Sequence, residues 1–358
     1  MKIFVTGGGG FIGSTLIKHL IRSEDCSILN FDKLTYATNV NTMKSVADSD
    51  RYVFSQGCLT DRKRLQEAFT SFKPDAVLHL AAESHVDRSI DDPSPFINSN
   101  VVGTFNLLEV SRTYLKSSGA LNHFRFINVS TDEVFGSLDL DQPRFVEEQA
   151  YKPRSPYSAS KACSDHLVRA WIETYNFPAL ITNCSNNYGP FQHPEKLIPL
   201  TIQKCLQKER IPVYGDGLNI RDWLHVDDHV SALLAVLNSG KIGETYLIGG
   251  SAEKTNLEVV KAICKTFQDL QEGAQINFEE LISFVGDRPG HDKRYAINAS
   301  KIETQLGWRP TINFENGIQQ SVNWYMNNQD WVAHSLKGNY DLSRLGTCST
   351  PVRSQSAV

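Results

Sequence analysis

Residues 2–21 read KIFVTGGGGFIGSTLIKHLI: an apolar run from Lys2 to Thr6, a glycine turn from Gly7 to Gly13, and an apolar-periodic segment from Phe11 to Ile21. This is a strand, a tight turn and a helix start. Gly7 allows the turn, Gly10 lets the backbone approach a pyrophosphate, and Gly13 lets helix and strand pack closely, with the anion at the helix N-terminus beside Phe11 and Ile12. The next apolar run, Ser27 to Phe31, ends in Asp32, at the distance from the glycines where a carboxylate accepts from the adenosine ribose hydroxyls. A carboxylate there repels a 2′-phosphate, so NAD is expected rather than NADP, with Lys33 weakening the exclusion slightly. A glycine-rich loop without a cofactor is the plain alternative, and Asp32 argues against it.

Further apolar runs at Tyr52–Phe54, Ala76–Leu80, Phe124–Val129 and Ala179–Thr182 alternate with helical stretches. The fold class expected is therefore α/β, a doubly wound parallel (Rossmann) sheet with a smaller C-terminal α/β substrate lobe. Ligands in such sheets sit at the carboxyl ends of strands, and the polar signatures Leu80 to His85, Ser130 to Glu133 and Asn183 to Pro190 each follow a run. We expect residues 1–184 to form the NAD-binding domain, with the stretch around 225–250 returning to it, and 185–334 to form the lobe. Residues 335–358 are Ser/Thr/Gly-rich and are expected to be a disordered tail.

The 358 residues carry a formal net charge of −4 and no Lys/Arg-rich block, which speaks against nucleic acid as a partner. An anionic ligand must then be held by local arginines. No apolar run approaches the ~20 residues of a membrane span and no signal pattern precedes the first strand, so a soluble, cytoplasmic protein is expected. The seven cysteines form no C-x-x-C; they read as reduced thiols, and no metal site is expected.

Chemistry gathers in mid-chain. Tyr157 and Lys161 are four apart, so on a helix they share a face, and the ammonium favours the ionised phenol. Upstream lies Ser130-Thr131-Asp132-Glu133. Paired carboxyls resist ionising together, which suits a reaction needing one acid and one base. Asp132 and Glu133 can share a pocket only if the strand ends near Thr131, since successive strand residues face opposite ways. A capped helix start is the ordinary reading of Thr-Asp-Glu.

The runs TGGGGFIGS, FDKLTYA, HLAAESHVDRSI, NVVGTFNLLE, VSTDEVFG, SPYSASKACSDHLVRAW, TNCSNNYGPFQHPEKLIPL, VYGDGLNIRDWLHVDDH and DRPGHDKRYAI resemble the extended short-chain dehydrogenase/reductases, and among them the dTDP-glucose 4,6-dehydratases, from Met1 to Trp331. The resemblance implies oxidation of dTDP-glucose at carbon 4, loss of water across carbons 5 and 6, and reduction at carbon 6, with tightly bound NAD recycled in each turnover. It implies Tyr157 as base at the 4-hydroxyl, helped by Lys161 and Thr131, Glu133 as base at carbon 5, and Asp132 as acid to the 6-hydroxyl. Lys33, Thr35, Cys58, Leu59, Leu80, Ala81, Ala82 and Asn187 join the cofactor site by the same resemblance. Ser84 and His85 fall at the sugar or nicotinamide, Asn186, Arg221, Asn256, Arg288 and His291 at the diphosphate, and Glu195, Lys196, Leu197, Pro212 and Tyr214 at the thymidine side, with Tyr295 also carried over as substrate-binding. Leu197, Pro212 and Tyr214 read equally as core, Arg221 as a surface ion pair, and His85 as a satisfied buried histidine.

The chain departs from the family at Cys58, where an aspartate usually accepts from the adenine amino group, and at Phe135 and His225, where tyrosines are usual. A homodimer is also implied, through the segment Phe96–Leu115 and the Tyr157 helix. Competing readings are a UDP- or GDP-sugar dehydratase, a UDP-sugar 4-epimerase, which has no need of the Asp132-Glu133 pair, and a non-catalytic NAD-binding sensor or scaffold.

Overall fold

The computed structural model describes residues 1–23, 25–119, 123–271, 276–337, 340–343 and 345–346. Its centre is a seven-stranded parallel sheet ordered β3-β2-β1-β4-β5-β6-β10. These strands are β1 (Lys2–Thr6), β2 (Ser27–Asp32), β3 (Tyr52–Gln56), β4 (Ala76–His79), β5 (Arg125–Thr131), β6 (Ala179–Cys184) and β10 (Thr245–Ile248). Helices cover both faces, so the central strands read as near-continuous apolar runs: Ile3, Phe4, Val5, Val77, Leu78, Phe126 and Ile127 are fully buried. The strand order reverses between β1 and β4, and the glycine turn leaves β1 at that switch point.

The late strand Thr245–Ile248 does return to this sheet, pairing in parallel with β6. The second lobe holds β7 (Asn186–Tyr188), β9 (Ile220–His225) and β11 (Glu253–Thr255) in one small sheet, and β8 (Ile211–Tyr214) beside β12 (Ile282–Val285) in another. Its core is separate, built from Ile198, Ile202, Val213, Val259, Ile263, Phe267 and Val322.

Local chemistry sets the element ends. The helix Pro156–Tyr175 begins with a reciprocal Ser155/Ser158 capping box and a proline in its first turn, and it stops at Asn176 in the left-handed conformation. The same device, Thr255 with Glu258, starts the helix Asn256–Leu270. The last helix, Gln329–Leu336, reaches back across the molecule: the Asn39 amide donates to Trp331 O (2.9 Å) and Ser335 Oγ (2.8 Å), and Trp331 Nε1 donates to Thr42 Oγ1 (2.8 Å).

The expected tail lies mostly outside the described residues, as does Cys348. Its described part includes the end of that last helix, a buried Leu342 and the Gly346 amide, which donates to Asp91 Oδ2 (3.0 Å). Among the described residues no helix is long and apolar enough to cross a membrane, no group of acidic, histidine and cysteine side chains is placed to hold a metal, and no disulfide joins the cysteines.

Candidate active site

A cleft opens at the carboxyl ends of the central strands. Its walls include Gly7, Gly10, Phe11, Ile12, Gly13, Asp32, Lys33, Thr35, Leu59, Leu80, Ala81, Ala82, Ser84, Thr131, Glu133, Tyr157, Lys161, Asn186, Asn187, Glu195 and Lys196. One end is shaped for a dinucleotide. Gly7 sits at φ +71°, and a Cβ there would lie 2.6 Å from the Ala81 backbone; a Cβ on Gly13 would meet Gly7 O at 2.3 Å. Gly10, by contrast, has only Gly7 O, at 3.4 Å, near its would-be Cβ, which leaves that backbone open to the cleft at the start of the helix Phe11–Ser23. Asp32 Oδ2 accepts from Gly9 N (2.9 Å) and Oδ1 from Leu34 N (2.8 Å), so two backbone amides fix the carboxylate at the end of β2. These features fit NAD: a backbone cradle for its pyrophosphate, and a fixed carboxylate with lone pairs left for ribose.

At the other end, β5 stops at Thr131 and a 3₁₀ turn runs from Asp132 to Phe135, with Thr131 Oγ1 accepting from Glu133 N (3.3 Å). The strand therefore ends where two adjacent carboxyls need it to, and the capped turn is the device that does it. Glu133 faces the cleft, while Asp132 is 1 % exposed behind it. Asp132 Oδ1 accepts from Thr131 Oγ1 (3.2 Å) and Oδ2 has no hydrogen-bond partner. Burial, then the neighbouring Glu133 and Asp222 carboxylates, hold the Asp132 carboxyl well above the usual aspartate range, which favours its protonated form. Glu133 is also raised by burial, but Arg288, Arg221 and Lys196 pull it the other way.

Tyr157 and Lys161 both line the cleft, yet the expected pairing differs. Lys161 Nζ donates to Val129 O (2.8 Å), and the Tyr157 phenol is raised far above its ordinary value, by burial first and Glu133 second. A shared helix face brings the two side chains into one pocket without making them partners, and here burial outweighs the ammonium.

Around Glu133 the fold gathers several residues expected at the diphosphate. Arg221 is 4 % exposed and not a surface ion pair: it donates to Ile220 O (2.7 Å) and Asp292 O (3.0 Å) and lies over the Tyr295 ring (4.3 Å). Arg288 pairs with Asp87 (2.8 Å) and His291 Nδ1 with Asp287 (2.6 Å); the Tyr295 hydroxyl donates to Asp292. Asn256 begins its helix, its amide donating to Asn219 O (3.0 Å). Arg221, Asn256, Arg288, His291 and Tyr295 lie outside the cleft walls, as do His85, Leu197, Pro212, Tyr214 and Cys58. His85 Nε2 meets Glu195 O (3.3 Å) while its Nδ1 is buried without a partner, Tyr214 donates to Asp87 (3.2 Å), and Pro212 lies on β8 opposite Ser283. Leu197 opens the helix Leu197–Gln207. Cys58 lies between the wall residues Gly57 and Leu59, its thiol 3.0 Å from Thr60 Oγ1. Glu195 turns inward to Arg88 (2.8 Å) and Tyr36 (3.1 Å), and Lys196 donates to Ser84 O (2.9 Å).

Sequence reasoning passed over Asp165, which holds the floor beneath Lys161, and Asn100. Asn100 accepts from Glu83 N (2.9 Å) and donates to Ser160 Oγ (2.8 Å), tying the loop after β4 to the Tyr157 helix. Asp165 stands one further turn beyond Lys161, so the spacing 157-161-165 was the signal for it. Asn100 lies in a π-helical turn, Ile97–Val102, a feature frequent at functional sites that periodicity does not announce.

A family model described as GDP-mannose 4,6 dehydratase matches residues 4–321. A dTDP-glucose 4,6-dehydratase of Neisseria meningitidis serogroup B is 53 % identical over 97 % of this chain and 99 % of its own. The chain belongs to the dTDP-glucose 4,6-dehydratase family. Two solved members of that family align along its length: the Bacillus anthracis enzyme, crystallised with NAD, at 44 % identity and TM-score 0.83, and DesIV of Streptomyces venezuelae, also with NAD bound, at 41 % and 0.85; each comparison covers 92 % of this chain and 98 % of the other. The family model and the relatives name different nucleotide sugars and agree on 4,6-dehydration.

Proposed function

We propose that this protein dehydrates dTDP-glucose to dTDP-4-keto-6-deoxyglucose, as a step toward dTDP-rhamnose or another deoxysugar, using NAD regenerated in each turnover. The observation that carries the reading is the buried, proton-holding Asp132 with one free oxygen, next in sequence to a cleft-facing Glu133 that three cations draw toward ionisation. NAD, when bound, supplies the cationic ring that takes up hydride from carbon 4 of the sugar and later gives it back at carbon 6. Tyr157, raised by burial in the cleft, receives the proton of the 4-hydroxyl as a phenolate, the form that the positive ring of bound NAD and Lys161 one helical turn away both favour. Once carbon 4 is a ketone the hydrogen on carbon 5 is acidic; Glu133 takes it as Asp132 gives its proton to the departing 6-hydroxyl, and Glu133 hands the proton back to carbon 5 when hydride returns to carbon 6. An epimerase has no use for that pair, so the two carboxyls favour dehydration.

A cytoplasmic homodimer completes the proposal. Phe105 (37 % exposed) stacks edge-on against Trp171 (5.9 Å), and Val102 (40 %) and Tyr175 (43 %) extend an exposed apolar face over the helices Gly103–Ser118 and Pro156–Tyr175. Such a face suits a self-complementary four-helix contact. Incubation with dTDP-glucose, UDP-glucose and GDP-mannose in parallel tests the reading. Loss of one water from dTDP-glucose without net NADH is expected; an isomer of unchanged mass, or turnover only of another nucleotide sugar, overturns it. A light-scattering mass of one chain overturns the dimer.

A further inference from the structure

Away from the cleft, Lys18 lies buried on the helix Phe11–Ser23 at 8 % exposure, and its ammonium has no hydrogen-bond partner. It rests on the face of Phe191, 3.2 Å from the ring centroid. Phe191 itself sits at φ +70° and packs on Trp324 (4.5 Å) and Trp331 (5.8 Å). A bulky aromatic residue in the left-handed region is a strained placement that persists only where its surroundings hold it. Beside this stack a second pocket opens, walled by Lys18, Arg22, Phe191, Trp324, Val226 and Asp227.

A ring face offsets only part of the cost of stripping water from an ammonium, and it can meet only one of the three N–H donors. Burial, then repulsion from Arg22, lowers Lys18 to about 7 despite Asp227. That is the behaviour of a cation lacking a counter-charge. Lys18 and Arg22 outweigh the single carboxylate on the wall, and the tilted rings of Phe191 and Trp324 give the pocket an apolar side beside them.

We propose that this pocket is a binding site for a small organic anion, its phosphate or carboxylate group held by Lys18 and Arg22 and its apolar body packed against the Phe191 and Trp324 side chains that line the pocket. Neither the glycine loop nor the carboxyl pair contributes to it. Calorimetric titration of the full-length protein with phenyl phosphate tests the proposal. Binding is expected in the wild type, about tenfold or more weaker in Lys18→Met, as a lost charge-assisted hydrogen bond implies, weaker in the exposed-site variant Arg22→Gln, and unchanged in Tyr157→Phe. Inorganic phosphate is expected to bind more weakly than phenyl phosphate. No heat at millimolar phenyl phosphate, equal affinity in both basic-residue variants, or loss of binding in Tyr157→Phe overturns the proposal. Equal affinity for inorganic and phenyl phosphate overturns the role given to Phe191 and Trp324. Because Arg22 is exposed, its variant keeps the test decisive if Lys18→Met folds poorly.

Discussion

Two aspartates are buried near β5, and the fold treats them in opposite ways. Asp165, beneath Lys161, accepts four hydrogen bonds: from Asn128 (2.8 Å), Ser130 (2.7 Å), Tyr151 (3.0 Å) and Asn183 (3.2 Å). Asp132, at the strand's end, accepts one and leaves an oxygen bare. Both are disfavoured as anions by burial, but Asp165 is drawn back toward ionisation by Lys161 and its donors, whereas Asp132 faces two further carboxylates. A carboxyl that only holds a floor in place is saturated with donors; one that must pass a proton is left unfinished, at a cost in stability carried by the rest of the fold.

The largest expected effect lies at the unfinished site. Asp132→Asn and Glu133→Gln preserve shape and remove acid and base, so kcat should fall by ~10²–10⁴-fold for each, with transient oxidation of the sugar still detectable by single-turnover absorbance of bound NADH. Retained dehydration in Asp132→Asn would make Asp132 a second floor residue and erase the contrast. Asp165→Asn should act in the other currency: it trades charge-assisted bonds for neutral ones and sets its new amide nitrogen against either the Asn128 amide, which donates to Oδ1, or the Asn183 amide, which donates to Oδ2, costing about 2–3 kcal/mol in urea unfolding.

The third test is pH. Asp132 holds its proton more tightly folded than unfolded, so above the ordinary aspartate value of 3.8 the folded chain binds a proton that the unfolded chain has released. Its contribution to stability therefore falls as pH rises from there until Asp132 itself ionises, by at most about 1.4 kcal/mol per pH unit. Urea midpoints across pH should show this decline in the wild type relative to Asp132→Asn; parallel curves would mean that Asp132 is not raised. Smallest is a carboxyl added where water still reaches: Cys58→Asp supplies an acceptor at the adenine end and should tighten NAD by about tenfold, measured by fluorescence titration.

The sheet, the glycine turn, Asp32 and the gathering of Tyr157, Lys161 and Glu133 into one cleft were legible because each is encoded locally, by period, by turn chemistry or by position after a strand. Even the return of Thr245–Ile248 to the sheet showed as an apolar run. The Arg288–Asp87 and Arg88–Glu195 pairs were not legible: their partners stand 201 and 107 residues apart, and nothing in either local pattern announces the other. Lys161 shows the limit most directly. Spacing placed it on the right face, but which acceptor it reaches was decided by where the Val129 carbonyl lies.

The bonds from Asn39 to Trp331 and Ser335, and from Trp331 to Thr42, span 289 to 296 residues of chain. During synthesis the Val40–Met43 turn beside the nucleotide end of the cleft must wait for nearly the whole polypeptide before it gains these partners. At ribosomal speeds of ~5–20 residues per second that is a delay of roughly 15–60 s. A turn that leaves the ribosome early is thus among the last parts of the molecule to gain its partners, and a nascent chain halted before Trp331 leaves Asn39 and Thr42 without these three bonds.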